Sequence, residues 1–262
     1  MSGGSWTDLM PRVVSAAVMV VIGGAAIWLG GVPFAALVIL AVGAMAWELA
    51  RMTAGPGTVP ATVIGLLAAV AMAGLVTIPG YARLALLLVP ALVGSFGNRR
   101  DPGLYVAYAL LIMLTGIGLV LLRELGIVMI LWIVTVVVTS DVLGYFAGRS
   151  LGGPKFWPAI SPKKTWSGTV AGWIGAALIG TGFFLAGYGG ISLIWISVLV
   201  AFAGQLGDIA ESAIKRRAGV KDASNLLPGH GGVMDRFDAL SFAVVLVMIL
   251  LFILLPQGFV GG

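Results

Sequence analysis

Three polar stretches hold most of the chemistry this chain can offer. In GQLGDIAESAIKRR, Asp208, Glu211, Ser212 and Lys215 stand at i, i+3, i+4 and i+7, so a helix puts them on one face. A carboxylate at the end of an apolar helix is costly unless it meets a cation, a metal or water. A solvated helix end with an i,i+4 pair between Glu211 and Lys215 accounts for that spacing equally well. Further on, PGHGGVMDRFD places Pro228, Gly229, Gly231 and Gly232 around His230, and then Asp235 and Asp238 at i and i+3. With Asp208 these make three carboxylates able to converge at one depth. Hard oxygen ligands of this kind suit Mg²⁺, which takes one or two carboxylates plus substrate phosphates. A glycine-rich loop can bring its backbone N–H groups close to a phosphate; taken alone, the same glycines read as a simple turn.

The third stretch is SDVLGYFAGRSLGGPKFWPAISPKKTWSG, residues 140–168. Asp141, Tyr145 and Arg149 fall at i, i+4 and i+8, and Lys163 and Lys164 sit in a proline-punctuated loop among Ser161, Thr165 and Ser167. Lysines that merely anchor helix ends explain the charge here. They do not explain a buried Asp141 or the density of hydroxyls. Clustered bases, carboxylates and a glycine-rich loop on one face amount to a phosphate-plus-metal site. Several chemistries are excluded. The chain has no cysteine, and its one histidine rules out sites needing two imidazoles. There is no Walker A sequence. The D-G-x-x-A-R motif of CDP-alcohol phosphotransferases is missing too, because the chain contains no Asp-Gly dipeptide.

The elements that must position these residues are membrane helices. Hydrophobic residues make up 60% of the chain and charged ones 10%, where a soluble domain carries about 25% charged. The mean hydropathy is +1.11. At about 20 residues per crossing the pattern predicts an all-α polytopic membrane protein of about nine spans. They cover roughly 13–30, 33–50, 60–79, 83–97, 103–122, 125–147, 168–187, 190–209 and 239–256. The break at 30–33 is the weakest and reads equally as a tight re-entrant turn. No cleavable signal peptide is expected. All but two of the 15 basic residues, Arg83 and Arg123, then fall on one side. By the positive-inside rule that side is cytoplasmic, with the N-terminus inside and the C-terminus outside. Residues 1–124 read as a scaffold, and 125–262 as a catalytic region with cytoplasmic loops 148–167 and 210–238. The bases form no continuous aromatic-studded face, so no nucleic-acid partner is expected. Gly168, Gly172, Ala176 and Gly180 make a ridge of small residues that packs closely, within the chain or in a homodimer.

The run SAIKRRAGVKDASNLLPGHGGVMDRFD resembles the signature of phosphatidate cytidylyltransferases, the CDP-diacylglycerol synthases. Their pattern reads S-x-x-K-R, four residues, K-D, then P-G-H-G-G-x-x-D-R-x-D. Ser212, Lys215, Arg216, Lys221, Asp222, Pro228, Gly229, His230, Gly231, Gly232, Asp235, Arg236 and Asp238 match in register. GQLGD at Asp208, S-D-x-x-x-Y-x-x-G-R at 140–149 and SPKKTW at 161–166 also look like that family, whereas Ser167 stands where the family more often has Glu.

The resemblance implies a bacterial-type inner-membrane enzyme with its site facing the cytoplasm. CTP and phosphatidic acid, drawn from the bilayer, give CDP-diacylglycerol and pyrophosphate with Mg²⁺; an additional monovalent cation stays open. The attacking phosphate oxygen is already largely ionised at pH 7, so no general base is needed. Asp208, Asp235 and Asp238 are then the expected metal carboxylates, forming the catalytic set with Lys215. Lys215, Arg216, Lys221 and Arg236 are expected on phosphates, and Lys163 and Lys164 on the CTP phosphates or the lipid head. Ser212, Asp141, Arg149, Gly231 and Gly232 are further substrate-side candidates, and His230 contacts a phosphate or positions the loop. The nearest alternative is a CTP-dependent kinase of polyprenol or diacylglycerol, with Asp141 as its base. A transporter would instead place its charges near mid-span.

Overall fold

The computed structural model describes residues 6–254 apart from residue 159. Both chain termini, and with them the expected orientation of the ends, lie outside the described residues, as does the side chain of Arg12. The helices are α1 (Trp6–Leu29), α2 (Gly31–Met52), α3 (Ala61–Thr77), a 3-10 segment (Tyr81–Leu87), α4 (Val89–Gly94), α5 (Pro102–Leu125), α6 (Ile127–Leu151), α7 (Trp166–Leu185), α8 (Ser192–Ala218) and α9 (Met234–Leu254). One antiparallel hairpin, β1 (Lys155–Trp157) with β2 (Ser161–Thr165), interrupts the all-α pattern where a plain loop is expected. The rings of Phe156 and Trp166 brace it edge to face at 4.7 Å.

Among the described residues six helices are long and apolar enough to cross a membrane: α2, α5, α6, α7, α8 and α9. Residues 13–29, 61–77 and 81–94 form shorter apolar helices. The expected span at 83–97 is broken in two. Pro90 supplies no N–H and disfavours helical backbone just before it, so a 3-10 segment gives way to the short α4. At about 2.0 and 1.5 Å per residue the pair reaches roughly 23 Å, short of a ~30 Å hydrocarbon layer.

The break at Gly30 is a one-residue turn between α1 and α2. Arg123, in the last turn of α5, donates from Nε to the carbonyl of Ile27 at 2.7 Å and from Nη2 to that of Trp28 at 3.2 Å. A Cβ on Gly30, whose φ is 63°, would stand 2.5 Å from that Nη2. Arg83 likewise donates to the carbonyl of Ile78 at 3.3 Å. The two bases on the sparse side thus bond carbonyls that helix ends leave unpaired.

By packing, the chain divides into two units, Met1–Ile127 with Ile214–Phe237 and Val128–Ala213 with Asp238–Gly262. Residues 214–237 therefore pack with the N-terminal helices. In the second unit the small-residue ridge of α7 is used inside the chain. A Cβ on Gly168 would lie 2.5 Å from the carbonyl of Gly144, one on Gly172 2.7 Å from Ser140 Oγ, and one on Gly180 2.6 Å from Ser197 Oγ.

Two helix ends differ from expectation in a way that matters for the site. α8 runs on to Ala218 through good helix formers and stops at Gly219, whose φ of 73° suits a helix-ending glycine. Its 27 residues span about 40 Å, so the polar end outreaches the hydrocarbon. α9 begins at Met234, bringing Asp235 and Asp238 into its first turns.

Candidate active site

In the first unit the geometry centres on Asp235. Lys215 Nζ donates to its Oδ1 at 2.5 Å, and the two side chains are only 14% and 5% exposed. The other oxygen, Oδ2, accepts from the backbone N–H of Gly232 at 2.7 Å and of Ala223 at 2.9 Å. One carboxylate thus ties α8, the segment after it and the glycine-rich loop together. The loop itself closes through Leu227 N–H to the carbonyl of Gly231 (2.8 Å) and His230 N–H to that of Leu227 (2.9 Å). Gly229 and Gly231 have φ of 75° and 82°, which glycine adopts without strain.

Three residues of the N-terminal half reach this loop. Ser15 Oγ donates to the carbonyl of Pro228 at 2.8 Å and lies 2.7 Å from His230 Nδ1. With its one proton on Pro228, the hydroxyl can only accept from Nδ1–H. Arg51 stacks over Trp47 at 4.8 Å and donates to the carbonyl of Ala223 at 3.1 Å. Glu48 accepts from Ser224 Oγ and from the N–H groups of Val233 and Met234. None of the three is singled out by motif spacing. The signal that could have found Glu48 is the one used for Asp208: an acid at the end of an apolar helix, here MAWELARM.

Of the expected phosphate-binding residues, Arg216, Lys221 and Arg236 are exposed, while His230 is half-buried. The N–H of Gly232 is directed at Asp235 and the N–H groups of Val233 and Met234 at Glu48. This part of the loop spends its donors inside the protein, and the cations around it are side chains.

In the second unit Lys164 Nζ meets Asp208 Oδ2 at 2.6 Å and the carbonyl of Gln205 at 3.1 Å. Ser212 Oγ lies 3.5 Å from Asp208 Oδ1, a long contact. Gln205 is a hub that the spacing argument passed over. Its Oε1 accepts from Trp173 Nε1 at 3.0 Å, and its Nε2 donates to the carbonyl of Thr169 at 3.3 Å and to Ser140 Oγ at 3.4 Å. A Cβ on Gly207 would stand 2.3 Å from the carbonyl of Asp238, so α8 and α9 touch backbone to backbone beside Asp208. Asp238 Oδ1 accepts from the N–H of Ala239 at 2.7 Å.

Thr165 caps α7 by accepting from the N–H of Gly168 at 3.2 Å, and Ser167 donates to the carbonyl of Gly152 at 2.5 Å. The hydroxyls around the lysines therefore shape the hairpin-to-helix junction. Arg149 Nη1 donates to Tyr145 Oη at 2.7 Å, and both are exposed, as is Lys163. Asp141 is exposed on α6, which corrects the expectation that it is buried.

Among the described residues no group of three or more Asp, Glu or His side chains could hold a metal ion by itself. A magnesium ion needs only one or two carboxylates when phosphates complete its shell. Asp208 and Asp235 each already hold a cation, the ammonium of a lysine. Their carboxylate oxygens are hard donors of the kind that suit Mg²⁺, one carboxylate apiece, with substrate phosphates needed to complete the shell.

The model of the cytidylyltransferase family matches residues 10–254. A phosphatidate cytidylyltransferase of Brucella abortus biovar 1 (strain 9-941) is 36% identical over 259 residues, covering 92% of this chain and 92% of its own. Over shorter stretches, the proteins of that name from Bacillus subtilis (strain 168) and Staphylococcus saprophyticus are each 41% identical. The first match spans 133 residues, 50% of this chain and 49% of the relative. The second spans 143 residues, 52% and 55% respectively.

Proposed function

Because the chain belongs to the cytidylyltransferase family, we propose that it is a phosphatidate cytidylyltransferase. It joins CTP to phosphatidic acid and releases pyrophosphate. The observation that carries this reading is the pairing of two expected metal carboxylates with lysines, Asp235 with Lys215 and Asp208 with Lys164, together with the exposure of Arg216, Lys221 and Arg236 in the first unit.

In the reaction a phosphate oxygen of the lipid attacks the α-phosphorus of CTP. The bond from that phosphorus to the β-bridging oxygen breaks, and its electron pair leaves with pyrophosphate. The attacking oxygen arrives ionised, so no residue must take a proton from it. What the protein supplies is charge and alignment. Lys215, held rigid by Asp235, presents a fixed ammonium. Arg216 and Arg236 have the fork geometry for bidentate phosphate contacts, and Lys221 adds a point charge. Lys163 and Lys164 lie on or beside the hairpin, suited to the CTP phosphates or the lipid head. Asp208 and Asp235, helped by Asp238, would hold Mg²⁺, which when bound supplies charge neutralisation at the phosphoryl oxygens.

The deciding experiment uses purified protein in detergent with phosphatidic acid, Mg²⁺ and CTP labelled on its α-phosphate. The label should appear in a lipid carrying a cytidylyl head group. A phosphorylated lipid without label, with the label left in CDP, would replace this reading with the CTP-dependent lipid kinase. We place the site on the cytoplasmic face of a bacterial cell membrane, supported by the one-sided distribution of the 15 bases. A reporter fused after Gly262 should then be active only outside; activity confined to the cytoplasm would overturn that topology.

A further inference from the structure

Glu48 is fully buried, with 0% of its surface exposed, near the C-terminal end of α2. A carboxylate removed from water is costly unless its lone pairs are met. Three donors meet them: Ser224 Oγ at 2.5 Å and Val233 N–H at 2.9 Å on Oε1, and Met234 N–H at 2.7 Å on Oε2. The two amides stand at the start of α9, where a helix leaves donors without partners. A glutamate of α2 therefore does from a distance what a capping side chain normally does from within the helix.

The cap is sterically committed. A Cβ on Gly232 would stand 2.3 Å from Glu48 Oε1, and one on Gly231 would stand 2.7 Å from Asp235 Oδ2. Two carboxylates thus grip consecutive residues of the loop, and glycine is required at both because each carboxylate occupies the space of a side chain. Asp235 is the next residue after Met234. Where α9 begins, and how it is rotated there, decides whether Asp235 Oδ1 meets Lys215.

We propose that Glu48 is a positioning residue for the reaction: by capping α9 from α2 it sets the place at which Asp235 holds Lys215. The catalytic half of this inference rests on the proposed cytidylyl transfer; the positional half rests on the geometry alone. The N-terminal helices are then a working part of the site and not only its scaffold.

Glu48→Gln tests it. The amide keeps the shape, but its Nε2 group, a donor, must face at least one of the three donors that now meet the carboxylate. Hydrogen exchange of the Val233 and Met234 amides should quicken about tenfold or more, in line with a lost cap. Turnover at saturating substrates should fall about 10- to 100-fold, with KM for phosphatidic acid within about twofold, since the lipid contacts are untouched. If Glu48→Gln does not fold, Glu48→Asp serves: it keeps the charge but withdraws it by one methylene, and both readouts should move the same way. Faster exchange with unchanged kcat in folded protein would overturn the proposal, and so would unchanged exchange. Should the unsubstituted protein form no CDP-diacylglycerol, the functional reading fails, while amide exchange still decides whether Glu48 sets the start of α9.

Discussion

Asp235→Asn is expected to lower kcat about 100- to 1,000-fold, the scale of losing a pre-set charge in an active site. The motive is the threefold commitment of this side chain to Lys215, Gly232 and Ala223. Asparagine has one acceptor oxygen where aspartate has two. Turned either way, its amide group faces a donor, the ammonium in one orientation and two backbone N–H groups in the other. Lys215, mostly buried, then loses the charge of Asp235, and breaking a buried pair by removing one partner costs about 3–5 kcal/mol. Membrane insertion should survive, because it depends on apolar spans that the substitution leaves alone. The thermal midpoint should fall, and turnover should collapse further than the loss of folded protein explains. Assaying cytidylyl transfer per folded molecule, at saturating Mg²⁺, checks this. A kcat within about threefold of the unsubstituted enzyme would remove Asp235 from the catalytic set.

Asp208→Asn should behave in the opposite way, with little change in stability and a large change in metal dependence. Its pair with Lys164 is short at 2.6 Å, but the side chains are 24% and 36% exposed. Ion pairs open to solvent contribute about 0–1 kcal/mol, so the fold should barely notice. On the proposed function this carboxylate is the more accessible of the two lysine-paired acids, and Mg²⁺ has the easier approach to it. Activity should therefore fall about 100-fold at low Mg²⁺ and recover in part as Mg²⁺ rises. A full Mg²⁺ titration of the purified variant, with thermal midpoints measured beside it, separates the roles. If the titration curve overlays that of the unsubstituted enzyme, Asp208 serves only to anchor Lys164 to α8.

Much of the site is legible in one dimension because its residues are close in sequence. Asp208 and Lys215 share a helix, and the motif from Ser212 to Asp238 runs without interruption into α9. The i, i+3, i+4, i+7 argument needs only the helical repeat, and the repeat is local. The same argument admits Glu211 equally as a solvated partner of Lys215, yet Glu211 is fully buried. Helical spacing says which residues share a face but not what that face meets. Pro90 was equally visible, but a window that averages hydropathy passes over one missing N–H. The early start of α9 was not visible, because its caps come from Glu48, far away in the chain, and from Asp235 folding back on Gly232.

The sequence by itself determined that this is a helical membrane protein, that its charges gather in a few polar segments, and that the family's motif lies between Ser212 and Asp238. Those properties follow from run lengths, from where charges are allowed in a bilayer, and from contiguous residue types. Only the tertiary structure decided the partners: Asp235 with Lys215, Asp208 with Lys164, Glu48 with the start of α9, and the small-residue ridge of α7 with α6 and α8. The physical reason is that a buried polar group must find a partner but its spacing does not name one. Several donors lie within reach of each carboxylate along the chain, and close packing of backbones, made possible by glycines such as Gly232 and Gly207, selects which of them arrives.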